Sequence, residues 1–270
     1  MGGLRNLDRM ERTQTGSRPH PRQRRLANAV LAAAVLQVVA PIATISGPGA
    51  SPGSGSGAEL LITPVGWAFS IWCVIYALAI VQAVSTMVKR DRRVPLRLQL
   101  DQIGLYLGGT LWILMAALDS STATFVALAL MFGFAVDGVL TLARTGDELA
   151  PRGHRTLTRI AFGLYAGWVS AAFFLNLSTA LVGWGVVEAD AVGWQLAVVA
   201  VATVTLVALV LVGRLAAYAA AGLWALLGIA VTGLSDGTDS VVVAAAVAAV
   251  ALLVAAVVGL RRGGAVGHRA

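Results

Sequence analysis

Two short stretches hold most of the side chains that could do chemistry. The first is "TPVGWAFSIWCVIY", residues 63–76, where Trp67, Phe69, Trp72 and Tyr76 crowd together directly after Thr63 and Pro64. On a helix, Phe69, Trp72 and Tyr76 fall at i, i+3 and i+7 and share one face. The second is "FGLYAGWVSAAFFLN", residues 162–176, in which Tyr165, Trp168, Ala172 and Asn176 share a face in the same way. A third element, Trp112, lies deep in another apolar run. Such a set suits binding rather than bond-making. Aromatic rings offer faces for stacking. An amide buried as deeply as Asn176 must find a hydrogen-bond partner, in the protein or on a ligand.

One further residue could carry charge chemistry. Asp137 stands inside "FVALALMFGFAVDGVLTLAR", about two turns from Arg144. An acid at a span centre costs ~2.5–3.5 kcal/mol on insertion scales, and less near an end. Asp137 is therefore hydrated from the interface, paired, or part of a coupling or ligand-contact site. Gln82 and Gln195 pose the same question more weakly. Other chemistries find no residues. Cys73 is the single cysteine, so no internal disulfide or thiolate metal spacing exists. His20, His154 and His268 all lie in polar stretches near arginines. No nucleophile–base pair is visible.

The elements that must position these residues are membrane helices. Of 270 residues, 58% are hydrophobic and 12% charged, and the mean hydropathy is +0.81. Soluble domains carry about 25% charged residues. The expected fold class is an all-α integral membrane protein, because backbone groups in lipid must pair within their own segment. A span needs about 20 apolar residues, and about eight transmembrane helices emerge: 26–46, 65–88, 100–118, 122–143, 160–182, 192–213, 215–234 and 240–260. The break at Gly213 and Arg214 is inferred as a tight hairpin, since 192–234 is too long for one span. A basic stretch before an apolar run can also be a signal peptide; here an uncleaved first span is expected, and cleavage would leave seven spans with the same orientation.

The net charge of +7 follows from topology. The N-terminal arginines, "KRDRRVPLR", Arg144, Arg152, Arg155, Arg159, Arg214, Arg261 and Arg262 all fall on one side of eight spans, while Glu59, Asp119, Glu188, Asp190, Asp236 and Asp239 fall on the other. The positive-inside rule then puts both termini in the cytoplasm of a plasma-membrane protein. Nucleic acid is not an expected partner, because no basic residues interleave with exposed aromatics. Trp67, Trp184 and Trp194 sit at span ends and read as interfacial anchors. Trp72, Trp112 and Trp168 are deeper, and are either core or lipid-facing aromatics or the lining of a pocket. The last three spans are nearly all alanine, valine, leucine and glycine, with small residues four apart, as at Ala244 and Ala248. They read as packing helices.

The two aromatic stretches together resemble the TspO/MBR family, the translocator-protein or tryptophan-rich sensory proteins. The family's second helix carries a proline, then an aromatic stretch with a tryptophan four residues before a tyrosine; Pro64, Trp72 and Tyr76 match. Its fifth helix carries a tyrosine, a tryptophan three residues on and an asparagine eight beyond that; Tyr165, Trp168 and Asn176 match. The chain departs from the pattern at Leu164, where the family has proline, and at Gly109, where the third helix usually has asparagine. The motifs reach over the first 183 residues or so. The chain thus resembles a long bacterial relative: a basic cytoplasmic tail (1–25), a five-helix core (26–183), three additional transmembrane helices (184–260) and a second cytoplasmic tail (261–270).

What the resemblance implies is a helical bundle with an aromatic pocket, often as a homodimer. Its implied ligands are flat and apolar, such as a porphyrin or haem-like tetrapyrrole, with sterols in some members. No cofactor is required. The ligand-binding candidates are Trp72, Tyr76, Trp112, Tyr165, Trp168 and Asn176. The expected function is binding of a hydrophobic, tetrapyrrole-like ligand by a sensor, buffer or translocator that is not an enzyme. The alternative is a proton-coupled secondary transporter using Asp137, though no internal inverted repeat or pair of broken helices is visible.

Overall fold

In the computed structural model, the structure describes residues 21–45, 59–88, 94–145, 148–149 and 151–266. Most of the N-terminal tail, the Gly/Ser/Pro-rich loop from 46 to 58, the "KRDRR" run and the last four residues lie outside the described residues. All regular structure among the described residues is helical. Eight long helices run in order: α1 Pro21–Ile45, α2 Ile71–Val88, α3 Leu96–Ala116, α4 Ser121–Thr145, α5 Arg152–Gly183, α6 Val192–Gly213, α7 Ala216–Ser235 and α8 Asp239–Val266. A short 3-10 helix, Gly66–Ser70, precedes α2.

Seven of the eight are long and apolar enough to cross a membrane. The remaining one, α3, carries Arg97, Gln99, Asp101 and Gln102 in its first two turns, which lowers its hydropathy. Those turns avoid lipid by burying their polar groups in protein: Gln99, Asp101 and Gln102 are all buried. The Gln102 Nε2 donates to Gln82 Oε1 on α2 (2.9 Å), and Gln82 reaches Thr158 on α5 (3.4 Å). Gln82 is thus a bridge between helices.

Two boundaries differ from expectation for physical reasons. The fifth helix begins at Arg152, eight residues earlier than the apolar run, because its polar first turns pack inside the bundle with His154 buried. The second span does not start as α-helix. Residues 63–70 run extended and then 3-10, leaving backbone groups that lipid could not satisfy. Neighbouring helices satisfy them instead. The Val65 N–H donates to the Gly228 carbonyl (3.2 Å). Thr232 Oγ1 donates to the Thr63 carbonyl (2.8 Å), Trp224 Nε1 to the Ala68 carbonyl (2.8 Å), and Ile62 N–H to Gln195 Oε1 (3.3 Å). Three of these four partners lie on α7 and one on α6.

The α7 helix also docks tightly on α5. A Cβ at Gly167 would lie 2.4 Å from the Tyr218 carbonyl oxygen, so only glycine permits this approach. The Tyr218 hydroxyl donates to Ser170 on α5 (2.8 Å). Between α6 and α7 the chain turns at Arg214, in the left-handed region with φ 49°. Its carbonyl accepts a hydrogen bond from Arg159 (2.9 Å). The inferred hairpin is present, and it carries a basic residue at the same end of the bundle as the start of α5.

Candidate functional site

The rings of the two aromatic stretches meet around Trp72. That indole stacks on Trp112 of α3 (centroids 5.7 Å apart), tilts against Tyr76 (5.3 Å), and meets Tyr165 (5.7 Å) and Trp168 (6.3 Å) edge-on. Phe69 closes on Trp168 at 5.7 Å. Each such contact contributes about 0.5–1.5 kcal/mol beyond area burial. Phe69 reaches the cluster from the 3-10 helix, so the shared face survives the change of helix type.

One side of this cluster borders a cavity of about 60 Å³. Phe69, Trp72, Trp112, Trp168, Phe174 and Asn176 line one wall, with Pro64 at one end. Of the six binding candidates that the resemblance implied, four reach the cavity: Trp72, Trp112, Trp168 and Asn176. Tyr76 and Tyr165 do not. They stand behind Trp72 as a second layer. The Tyr165 hydroxyl donates to Gln37 Oε1 on α1 (2.8 Å), and a Cβ at Gly109 would lie 2.7 Å from that hydroxyl oxygen. The glycine that departs from the family's asparagine therefore clears space for a tyrosine–glutamine bond.

Asn176 finds its partners inside the bundle. Its Oδ1 accepts from Trp112 Nε1 (3.2 Å), and its Nδ2 donates to the Ala172 carbonyl (3.0 Å). The amide thereby fixes the Trp112 ring. The other two cavity tryptophans differ. Trp72 and Trp168 are 5% and 3% exposed, and neither indole N–H meets an acceptor among the described residues. A buried donor without a partner costs about 1–3 kcal/mol.

The opposite wall comes from helices that sequence reasoning assigned to packing. Val198, Val199, Ala202, Thr203 and Leu206 of α6 line it, with Gly222, Ala225, Leu226 and Ile229 of α7. Only α8 of the last three helices keeps a purely packing role at this point, with Leu252 close behind Gly222. Nothing in an alanine–valine–leucine run marks a cavity wall. The available signal was Trp224, whose indole holds the Ala68 carbonyl and ties α7 to the aromatic stretch.

Asp137 lies elsewhere. Its carboxylate is held by the Arg97 guanidinium through Nε (2.7 Å) and Nη2 (2.5 Å). Both side chains are open to solvent, at 64% for Arg97 and 31% for Asp137. The partner is thus Arg97 of α3 rather than Arg144, and Asp137 is not among the cavity residues. Trp67 and Trp184 are exposed at helix ends, as anchors should be, and Trp184 donates to Thr122 (2.8 Å). Among the described residues, no three His, Cys, Asp or Glu side chains gather in a way that could hold a metal ion.

No curated protein and no solved structure matches the chain. The family model described as TSPO-like protein matches residues 25–258, which takes in α6, α7 and the greater part of α8 as well as the aromatic helices. With its apolar helices, ring cluster and a match running through most of its length, this chain belongs to the TSPO-like protein family and is a multi-pass membrane protein.

Proposed function

We propose that this protein binds a flat, apolar ligand carrying hydrogen-bond acceptors in the cavity between the ring cluster and the α6–α7 wall. The single observation that carries this reading is that Trp72 and Trp168, two rings of the cavity wall, bury indole N–H groups that meet no acceptor among the described residues. A ligand with a π-face and an acceptor would stack on the rings and relieve at least one of those donors. The tetrapyrroles implied by the family resemblance fall within this class. The protein would act by binding and a shift in bundle packing, as a sensor, buffer or translocator, and not by bond chemistry.

The proposed setting is a bacterial plasma membrane with both termini cytoplasmic. The arginines support it: Arg97, Arg144, Arg152, Arg159 and Arg214 gather at one end of the bundle and Glu188, Asp190 and Asp236 at the other. Coupling through Asp137 receives less support, since its carboxylate is engaged by Arg97 outside the cavity.

The test is a binding titration of the purified protein in detergent, with protoporphyrin and with the compact ketone 9-fluorenone. Saturable binding of either probe, weakened in Trp168→Phe and absent from an unrelated membrane protein of matched tryptophan content, is the expected result. Linear uptake of both probes, identical in all three proteins, would refute the reading.

A further inference from the structure

The cavity of about 60 Å³ is small beside the ~300–1,000 Å³ typical of ligand pockets. Any ligand must enlarge it, and the walls do not yield equally. Helix α7 is tied to α5 by the hydrogen bond from the Tyr218 hydroxyl to Ser170, and receding would break both that bond and the close Gly167–Tyr218 packing. It also cannot slide past the start of α2. A Cβ at Gly228 would meet the Pro64 and Ala68 side chains at 2.9 Å, and three hydrogen bonds hold α7 to residues 63–68. On the other side, Trp112 is fixed by Asn176 and Trp72 by its ring neighbours. What remains soft is side-chain rotation on the aliphatic wall. Leu206 and Leu226, both buried, are the large flexible groups there. Turning them aside makes room for a few fused rings. Admitting a macrocycle would require moving a helix.

We infer that the α6–α7 wall sets the size of the ligand, with Leu206 and Leu226 as specificity-determining residues, and restricts the cavity to compact, flat, acceptor-bearing molecules such as small aromatic ketones. The inference rests on the binding reading above and narrows its ligand class. It excludes the tetrapyrrole as an occupant of the unaltered cavity.

The test compares 9-fluorenone, benzanthrone and protoporphyrin in three proteins: the natural chain, Leu206→Ala/Leu226→Ala, and Ala202→Leu. The natural chain should bind 9-fluorenone saturably and take up protoporphyrin only in proportion to its concentration. Leu206→Ala/Leu226→Ala should bind benzanthrone, a ketone one fused ring larger than 9-fluorenone, roughly tenfold or more tighter than the natural chain does, from the removal of several buried carbons. Ala202→Leu should lose roughly tenfold in 9-fluorenone affinity. Thermal unfolding identifies variants that have not folded, and if the double variant fails there, Leu226→Ala alone and Ala202→Leu decide the matter. Saturable protoporphyrin binding by the natural chain, unchanged in the enlarged variant and sensitive to Trp168→Phe, would overturn the size inference while leaving the binding reading intact. Absence of saturable binding for every probe in every protein would overturn the binding reading, and the size inference with it.

Discussion

The two walls of the cavity are made of different materials and held by different forces. On the α2–α3–α5 side, large rings hold one another through stacked and edge-on contacts, and the Asn176 amide orients one of them. On the α6–α7 side there is little but alanine, valine, leucine and glycine, and position is set by how closely backbones approach. In the proposed binding reading, the first wall would recognise by chemistry, through π-faces and the indole N–H donors of Trp72 and Trp168. The second would recognise by shape, through volume. A ring substitution in the first should alter what is bound without disturbing the bundle, whereas a substitution at a glycine where α7 docks on α5 should disturb the bundle itself.

The largest expected effect tests that second half. Gly167→Val places a side chain where the Tyr218 carbonyl stands, and the backbone of α7 has no rotamer by which to avoid it. Overpacking of this kind costs about 1–3 kcal/mol or more, so the melting temperature in detergent should fall clearly and 9-fluorenone binding should fall with it. A variant as stable as the natural chain would show that α7 is not clamped by this contact. Next in size is Trp168→Phe. The ring remains, and the donor it loses has no partner among the described residues. Affinity should drop by roughly five- to tenfold, as for one net hydrogen bond of about 1–1.4 kcal/mol, with the melting temperature unchanged or slightly raised.

Trp112→Phe should behave in the opposite sense, which sharpens the contrast within the aromatic wall. Its indole N–H is already engaged by Asn176, so the substitution should cost stability, about 0.6 kcal/mol and at most ~1.7 for a side-chain bond between membrane helices. Tyr165→Phe should show the same pattern through the loss of its bond to Gln37. Thermal unfolding alongside the ligand titration separates these two variants from Trp168→Phe. The smallest effect belongs to Asp137→Asn. Its partner Arg97 is solvent-exposed, and pairs of that kind contribute little. Ligand affinity should stay within about twofold of the natural value, in keeping with a marginal surface pair. Uptake into vesicles that depends on a pH gradient and disappears in Asp137→Asn would instead favour the coupling reading.

How far the sequence could be read follows the same division. Rings at helical spacing are visible as letters, and the family resemblance implied that Trp72, Trp112, Trp168 and Asn176 share one pocket. The apolar runs located all eight helices, and the hairpin at Gly213–Arg214 followed from the length a single span can have. Four things could not be read. The 3-10 start of the second span depends on partners on α6 and α7 that are more than a hundred residues away. The second-layer role of Tyr76 and Tyr165 depends on which side of Trp72 the cavity falls, and periodicity does not distinguish the two sides of one helix face. The aliphatic wall was least legible of all, because an alanine–valine helix that lines a cavity and one that only packs have the same composition. Gln37, which receives the Tyr165 hydroxyl, went unnoticed because one glutamine in an apolar run is silent about its partner.

Photolabelling with benzophenone, a compact ketone that inserts into nearby C–H bonds, tests the two-walled cavity most directly. Labelled residues would be mapped by mass spectrometry with and without excess 9-fluorenone. The account predicts adducts on both walls, at Leu175 or Phe174 of α5 and at Leu206 or Leu226 of α6 and α7, suppressed by the competitor and reduced in Trp168→Phe. Adducts confined to lipid-facing positions such as Val247 and Val250 of α8, indifferent to competitor and substitution, would contradict it.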